Sequence, residues 1–94
     1  MPTWQGQLLA HIRRHKNYPR AAQIRRQEGV AQVRFVMDRE GKVLFSGLER
    51  SSGHAILDEE TLNLIRRAQP LPAPPPEMPD DRIELVVPVQ YSLH

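Results

Sequence analysis

His11 and His15 stand four residues apart in the run HIRRH, the spacing at which a helix sets two imidazoles on one face where they could share a metal ion. No nearby carboxylate completes that ligand set, and the cations packed into HIRRH, Arg13 and Arg14, would repel a metal ion, so metal ligation is not expected. Ser51, Ser52, His54 and Asp58 form a second group, with the hydroxyl, base and carboxylate of nucleophilic catalysis. His54 is only two residues from Ser52, too local to imply a positioned pair, and Asp58 has a simpler role as the cap of a following helix. Ser51, Ser52 and Gly53 could also form an anion-binding nest, although a turn running into a capped helix accounts for the same residues. The chain has no cysteine, which excludes disulfides, thiolate chemistry and sulfur-ligated metals. The reading is therefore of no enzyme, no cofactor and no metal site.

Charge is the next source of chemistry. The formal net charge is only +2, but residues 1–50 carry ten Lys or Arg against four acids and residues 51–94 carry three against seven. Arg13, Arg14, Lys16, Arg20, Arg25 and Arg26 follow one another with no acid between them. Such a patch can steer phosphate, anionic lipid or an acidic protein surface toward the chain, or it can be a solvated helix face. No apolar run approaches the roughly 20 residues that cross a bilayer.

The elements that would position these groups follow from periodicity. A chain of 94 residues suits one domain with one core, and residues 1–94 are expected to form it. Trp4, Leu8 and Ile12 recur at helical spacing, so residues 3–16, within an N-terminal helical segment 1–16, read as an amphipathic helix. Tyr18-Pro19 breaks it, and Pro19 suits the first turn of a short helix over 19–26. Ala31, Val33, Phe35 and Met37 alternate with Gln32 and Arg34 in a half-buried strand over 30–37. The turn DREG, with Gly41 free to take a positive φ, leads to a second strand over 42–50. Val43 and Phe45 would share a face there and Leu48 would fall opposite, unless a bulge at Gly47 restored it. Asp58, Glu59 and Glu60 at one end and Arg66 and Arg67 at the other match the dipole of a helix over 58–68, with Leu57, Leu62, Ile65 and Ala68 as its core stripe. Six prolines crowd residues 70–79, and the loop over 70–81 is longer than a connector needs. It could shield part of the sheet or contact a partner.

The final strand, 83–93, alternates cleanly. Ile83, Leu85, Val87, Val89, Tyr91 and Leu93 take one side, and Glu84, Val86, Pro88, Gln90 and Ser92 take the other. Pro88 cannot donate to a ladder, which makes this an edge strand whose outer backbone groups are free for a chosen partner. The whole is an α+β arrangement, a small three-stranded antiparallel sheet with helices packed on one face.

These pieces, taken in order, resemble a known family. Tyr-Pro and a short Ala-rich helix, then EGVAQVRFVMDREGKV, SSG…LD, RRAQPLPAPP and VPVQYSL, are similar to the C-terminal domain of the TonB energy transducers. The resemblance runs from about Trp4 to Leu93. It implies a periplasmic domain whose parent protein is tethered to the inner membrane by a preceding helix and proline-rich spacer, where ExbB and ExbD are partners. It also implies that the domain grips the TonB box of outer-membrane TonB-dependent receptors by adding it as a strand, coupling proton-motive force to uptake of iron complexes, haem or similar nutrients. On this analogy the partner-binding residues are Tyr18 and Pro19 with Ile83, Glu84, Leu85, Val86, Val87, Pro88, Val89, Gln90 and Tyr91. Two other readings stand beside it. A basic α+β module can bind nucleic acid, but that mode needs aromatics on the open sheet face and none is expected there, so no nucleic-acid partner is expected. An edge that accepts a peptide can also pair with its own copy, giving a homodimer or a purely structural role.

Overall fold

The computed structural model describes residues 3–93. Residues 1 and 2, at the start of the expected helical segment, and residue 94 lie outside that range. Helix α1 runs Trp4–Arg14, starting where the Thr3 hydroxyl accepts from the Gly6 N–H at 3.0 Å. Helix α2 is shorter than its sequence signal, Arg20–Ile24. It stops because Arg26 takes a left-handed φ of 54°, which turns the Gln27 N–H back onto the Ala22 carbonyl at 2.8 Å.

Strands β1 (Gly29–Asp38), β2 (Val43–Arg50) and β3 (Arg82–Tyr91) form one antiparallel sheet in the order β2-β1-β3, so β1 is central. Helix α3 (Ala55–Arg67) and α1 cover one face of it. The core joins Leu8 and Ile12 of α1, Leu57, Leu64 and Ile65 of α3, and Val33, Phe35, Met37, Val87, Val89 and Tyr91 of the sheet. Each large apolar side chain removed from water there contributes about 1.5–3 kcal/mol. The opposite sheet face is open.

Three expectations are corrected by this packing. The irregularities of β2 fall at Leu44 and Glu49, where register with β1 shifts, and not at Gly47. The first of them turns Phe45 away from Val43: Val43 lies opposite Met37 over the core, whereas Phe45 lies opposite Val36 on the open face and is 52% exposed. Leu48 reaches the core side opposite Val33 without any bulge at the glycine. Second, α3 begins at Ala55, so Asp58 sits in its first turn instead of capping it. The loop donors described below bend back to that carboxylate, which lets the helix start three residues earlier. Third, with that start, the buried residues of α3 are Leu57, Glu60, Thr61, Leu64 and Ile65, followed by Ala68 at its C-cap, with Leu62 only partly buried.

The proline-rich loop is fastened to the hairpin turn and to α1. Asp38 closes the turn by accepting from the N–H groups of Glu40 and Lys42, both at 2.9 Å. Gly41, at φ 87°, receives the Leu71 N–H on its carbonyl at 2.9 Å. The Arg39 guanidinium reaches the carbonyls of Asp80 at 3.0 Å and Met78, and the Trp4 indole N–H donates to Pro72 at 2.9 Å. Leu71 and Pro74 are buried beneath these contacts.

Candidate partner-binding edge

Strand β3 pairs with β1 over ten residues in unbroken register, from Gly29 opposite Tyr91 to Asp38 opposite Arg82. In an antiparallel pair the backbone groups of successive residues point alternately toward the neighbour and away from it. Pro88 stands opposite Gln32 without disturbing the register, so its missing N–H belongs to the outward set. The outward groups of β3 are then those of Glu84, Val86, Pro88 and Gln90. No strand of the described sheet covers them. The side chains of these four residues are exposed on the open face, whereas Ile83, Val87, Val89 and Tyr91 are buried and Leu85 is partly so. The other edge, β2, is irregular at two points, which twists it away from flat pairing.

Tyr18 and Pro19 lie beside the end of this strand. Pro19 occupies the position before α2, and the Tyr18 ring meets Tyr91 edge to face at 5.4 Å. The Tyr18 hydroxyl donates to the Gln27 carbonyl, and the Tyr91 hydroxyl bonds Thr61 Oγ1 at 3.0 Å. Burial, with Glu28 nearby, pushes the Tyr18 phenol above its ordinary pKa, and burial likewise raises that of Tyr91.

The corner is held to α3 by a group that reads in the sequence as helix-end charges. Glu60, whose side chain is 8% exposed, accepts from Arg67 Nη2 at 2.7 Å and from the Asn17 N–H at 3.2 Å. Arg67 also donates to the His15 carbonyl at 2.7 Å, and its hydrogen bond with Glu60 raises its pKa further. The available signal was the seven-residue separation, two helical turns, which puts Glu60 and Arg67 on one face. In the sequence, Lys16 stands out only as part of the basic run. Its ammonium donates to the Gln90 carbonyl at 2.6 Å. Between α1 and the end of β3 lies a groove of about 270 Å³ lined by Ile12, Arg13, Lys16, Pro88, Gln90 and Ser92.

The groups considered for catalysis and metal binding have structural partners. His11 Nε2 donates to the Ala68 carbonyl at 2.7 Å, and its ring meets that of His15 edge to face at 4.8 Å. The Asp58 carboxylate accepts from the Ser51 hydroxyl, from Ser52 N–H at 2.8 Å and from Ser52 Oγ at 2.7 Å. The anion that these loop donors surround is thus the protein's own. On the open face the expectation of no aromatic fails, since Phe45 stands there because of the shift at Leu44. Arg34 lies 5.8 Å from the centroid of that ring and is paired with Glu84 at 3.0 Å, and Glu49 lies 3.9 Å from it. Phosphate would meet those two carboxylates beside the one aromatic.

A three-stranded sheet with one edge strand in unbroken register, two helices on one face and a Tyr-Pro corner defines a class, and comparison with known proteins agrees. Residues 14–93 match the family described as Gram-negative bacterial TonB protein C-terminal, and the chain belongs to that family. It is 45% identical over 94 residues to Protein TonB of Pseudomonas putida, covering 99% of this chain and 39% of that protein. Protein TonB of Pasteurella multocida is 30% identical over 96% of this chain and 34% of that protein. The chain therefore spans somewhat over a third of the length of these curated relatives. Among solved structures, an NMR structure of the Helicobacter pylori TonB C-terminal domain superposes with a TM-score of 0.82 at 28% identity, over 97% of this chain and 81% of that one. The HasB C-terminal domain superposes with a TM-score of 0.62 at 40% identity, over 96% and 70%.

Proposed function

We propose that this chain is the receptor-binding part of a TonB-type energy transducer, taking the TonB box of TonB-dependent outer-membrane receptors as an added strand along β3. The observation that carries the reading is the contrast between the two sheet edges: β3 runs ten residues in unbroken register with no described strand on its outer side, and β2 shifts register twice. Main-chain pairing tolerates varied side chains, so one edge can serve several receptors, and a pull along the strand loads several hydrogen bonds together. In this reading the domain works in the periplasm, and ExbB and ExbD act on parts of the protein outside this segment. The coupled process is uptake of iron complexes, haem or similar nutrients. The basic α1–α2 region adds electrostatic steering toward acidic segments of the receptor.

An amide NMR titration with a short extended peptide from the N-terminus of such a receptor, beside a scrambled peptide, tests the proposal. Shifts on β3 and around Tyr18 with the true peptide alone are expected. Shifts confined to the basic helices and abolished by salt would place partner binding elsewhere.

A further inference from the structure

Lys16 follows α1 and reaches across to the far end of β3. Its ammonium donates to the Gln90 carbonyl at 2.6 Å and lies 5.5 Å from the centroid of the Tyr91 ring, so two contacts hold it there. Gln90 is two residues from Pro88, so its carbonyl belongs to the same outward set. An added strand would bring an N–H to about 2.9 Å from that oxygen, and the ammonium already occupies the place. Pro88, for its part, has no N–H to offer. The end of the edge is thus closed twice, with one donor missing and one acceptor taken. Glu84 and Val86 keep both outward groups free of neighbouring strands.

We propose that Lys16 and Pro88 together form a stop that confines an added strand to residues 83–87 and so sets its register. The proposal rests on the strand-addition reading above and narrows its contact region from the whole of β3 to its first half. Lysines guard sheet edges against indiscriminate pairing, usually from the edge strand itself. Here the guard comes from another element, and it can move. Lys16 is exposed, its four-carbon stem is flexible, and an exposed charged contact is weak, so the stop biases pairing away from Gln90 by a modest amount that its removal should reveal.

The test compares wild type with Lys16→Met, which keeps the stem and removes the donor, and Lys16→Arg, which keeps a donor. Each is titrated with an extended receptor-derived peptide of about ten residues, long enough to run the length of the strand. Dissociation constants and amide-exchange protection along β3 are the readouts. Wild type and Lys16→Arg should protect Glu84 and Val86 and leave the Gln90 amide exchanging. Lys16→Met should extend protection to Gln90 and bind roughly two- to fivefold tighter. A Lys16→Met map and affinity identical to wild type would overturn the stop, as would weaker binding, which would make Lys16 a direct peptide contact. Protection along β3 in no variant would remove strand addition itself, an outcome distinct from binding with an unchanged register.

Discussion

Asp58 joins the loop after β2 to α3, and its titration reports that joint. Burial alone would raise its pKa, but hydrogen bonds from Ser51 and Ser52, with His54 nearby, hold it below the ordinary carboxylate value. A folded-state pKa below the unfolded value gives stability that is complete above the unfolded pKa of about 3.9 and is lost as pH falls through the folded one. Asp58→Asn should therefore cost about 1–2 kcal/mol near neutral pH, with the gap to wild type closing toward pH 2, as read by urea unfolding across pH. A gap independent of pH would assign the loss to packing. Glu60 makes a second test of a single residue. Replacing it with Ala leaves the Asn17 N–H and Arg67 short of their acceptor, and a loss of roughly 1–3 kcal/mol is expected. The amide shifts should spread from Asn17 to Tyr18 and Tyr91, because the corner and the strand end meet there.

Between elements, the hairpin turn lies close against the proline-rich loop. A Cβ on Gly41 would lie 2.0 Å from the Leu71 carbonyl oxygen, at a φ of 87° that disfavours any side chain. Gly41→Ala should lower stability by about 3 kcal/mol or more in thermal or chemical unfolding, with the loop released from the turn. The glycine was legible in DREG as a turn residue, but its neighbour across the loop was not, since Leu71 lies thirty residues further on. The shift at Leu44 was equally hidden. Period-two reading puts Val43 and Phe45 on one face, and only pairing with Met37 and Val36 of β1 shows that they part. Strand β3 was legible because its alternation is strict and its register is unbroken. Pro88→Ala restores an outward N–H and should leave stability within about 1 kcal/mol of wild type. It should raise self-association, measured by sedimentation, because the edge would then pair more freely.

For the whole molecule, charge and fold act in different ranges. The cations from Arg13 to Arg26 are exposed on and around α1 and α2, and Arg13 and Lys16 among them line the groove at the end of β3. Receptor peptides with acidic residues should associate more slowly as ionic strength rises past the point where the Debye length is about 8 Å. Stopped-flow association rates at low and high salt check this, and rates that did not change would count against steering. Trp4 offers a separate readout of α1. Its indole N–H is tied to Pro72, and helix release on binding would shift its fluorescence.

Local signals determined much of this protein: the order of its elements, the alternation that gives β3 a buried and an exposed side, the edge role of Pro88, and the residues that resemble the TonB C-terminal family. Each rests on a period, a turn residue or a proline, all of which act within a few positions of the chain. Tertiary structure alone decided that β1 is central, that β2 shifts register twice, that Asp58 is bound from outside its helix, and that Lys16 lies on Gln90. Those features depend on groups brought together across the chain, as with the sequence separation of 74 from Lys16 to Gln90, where no local pattern constrains which donor meets which acceptor.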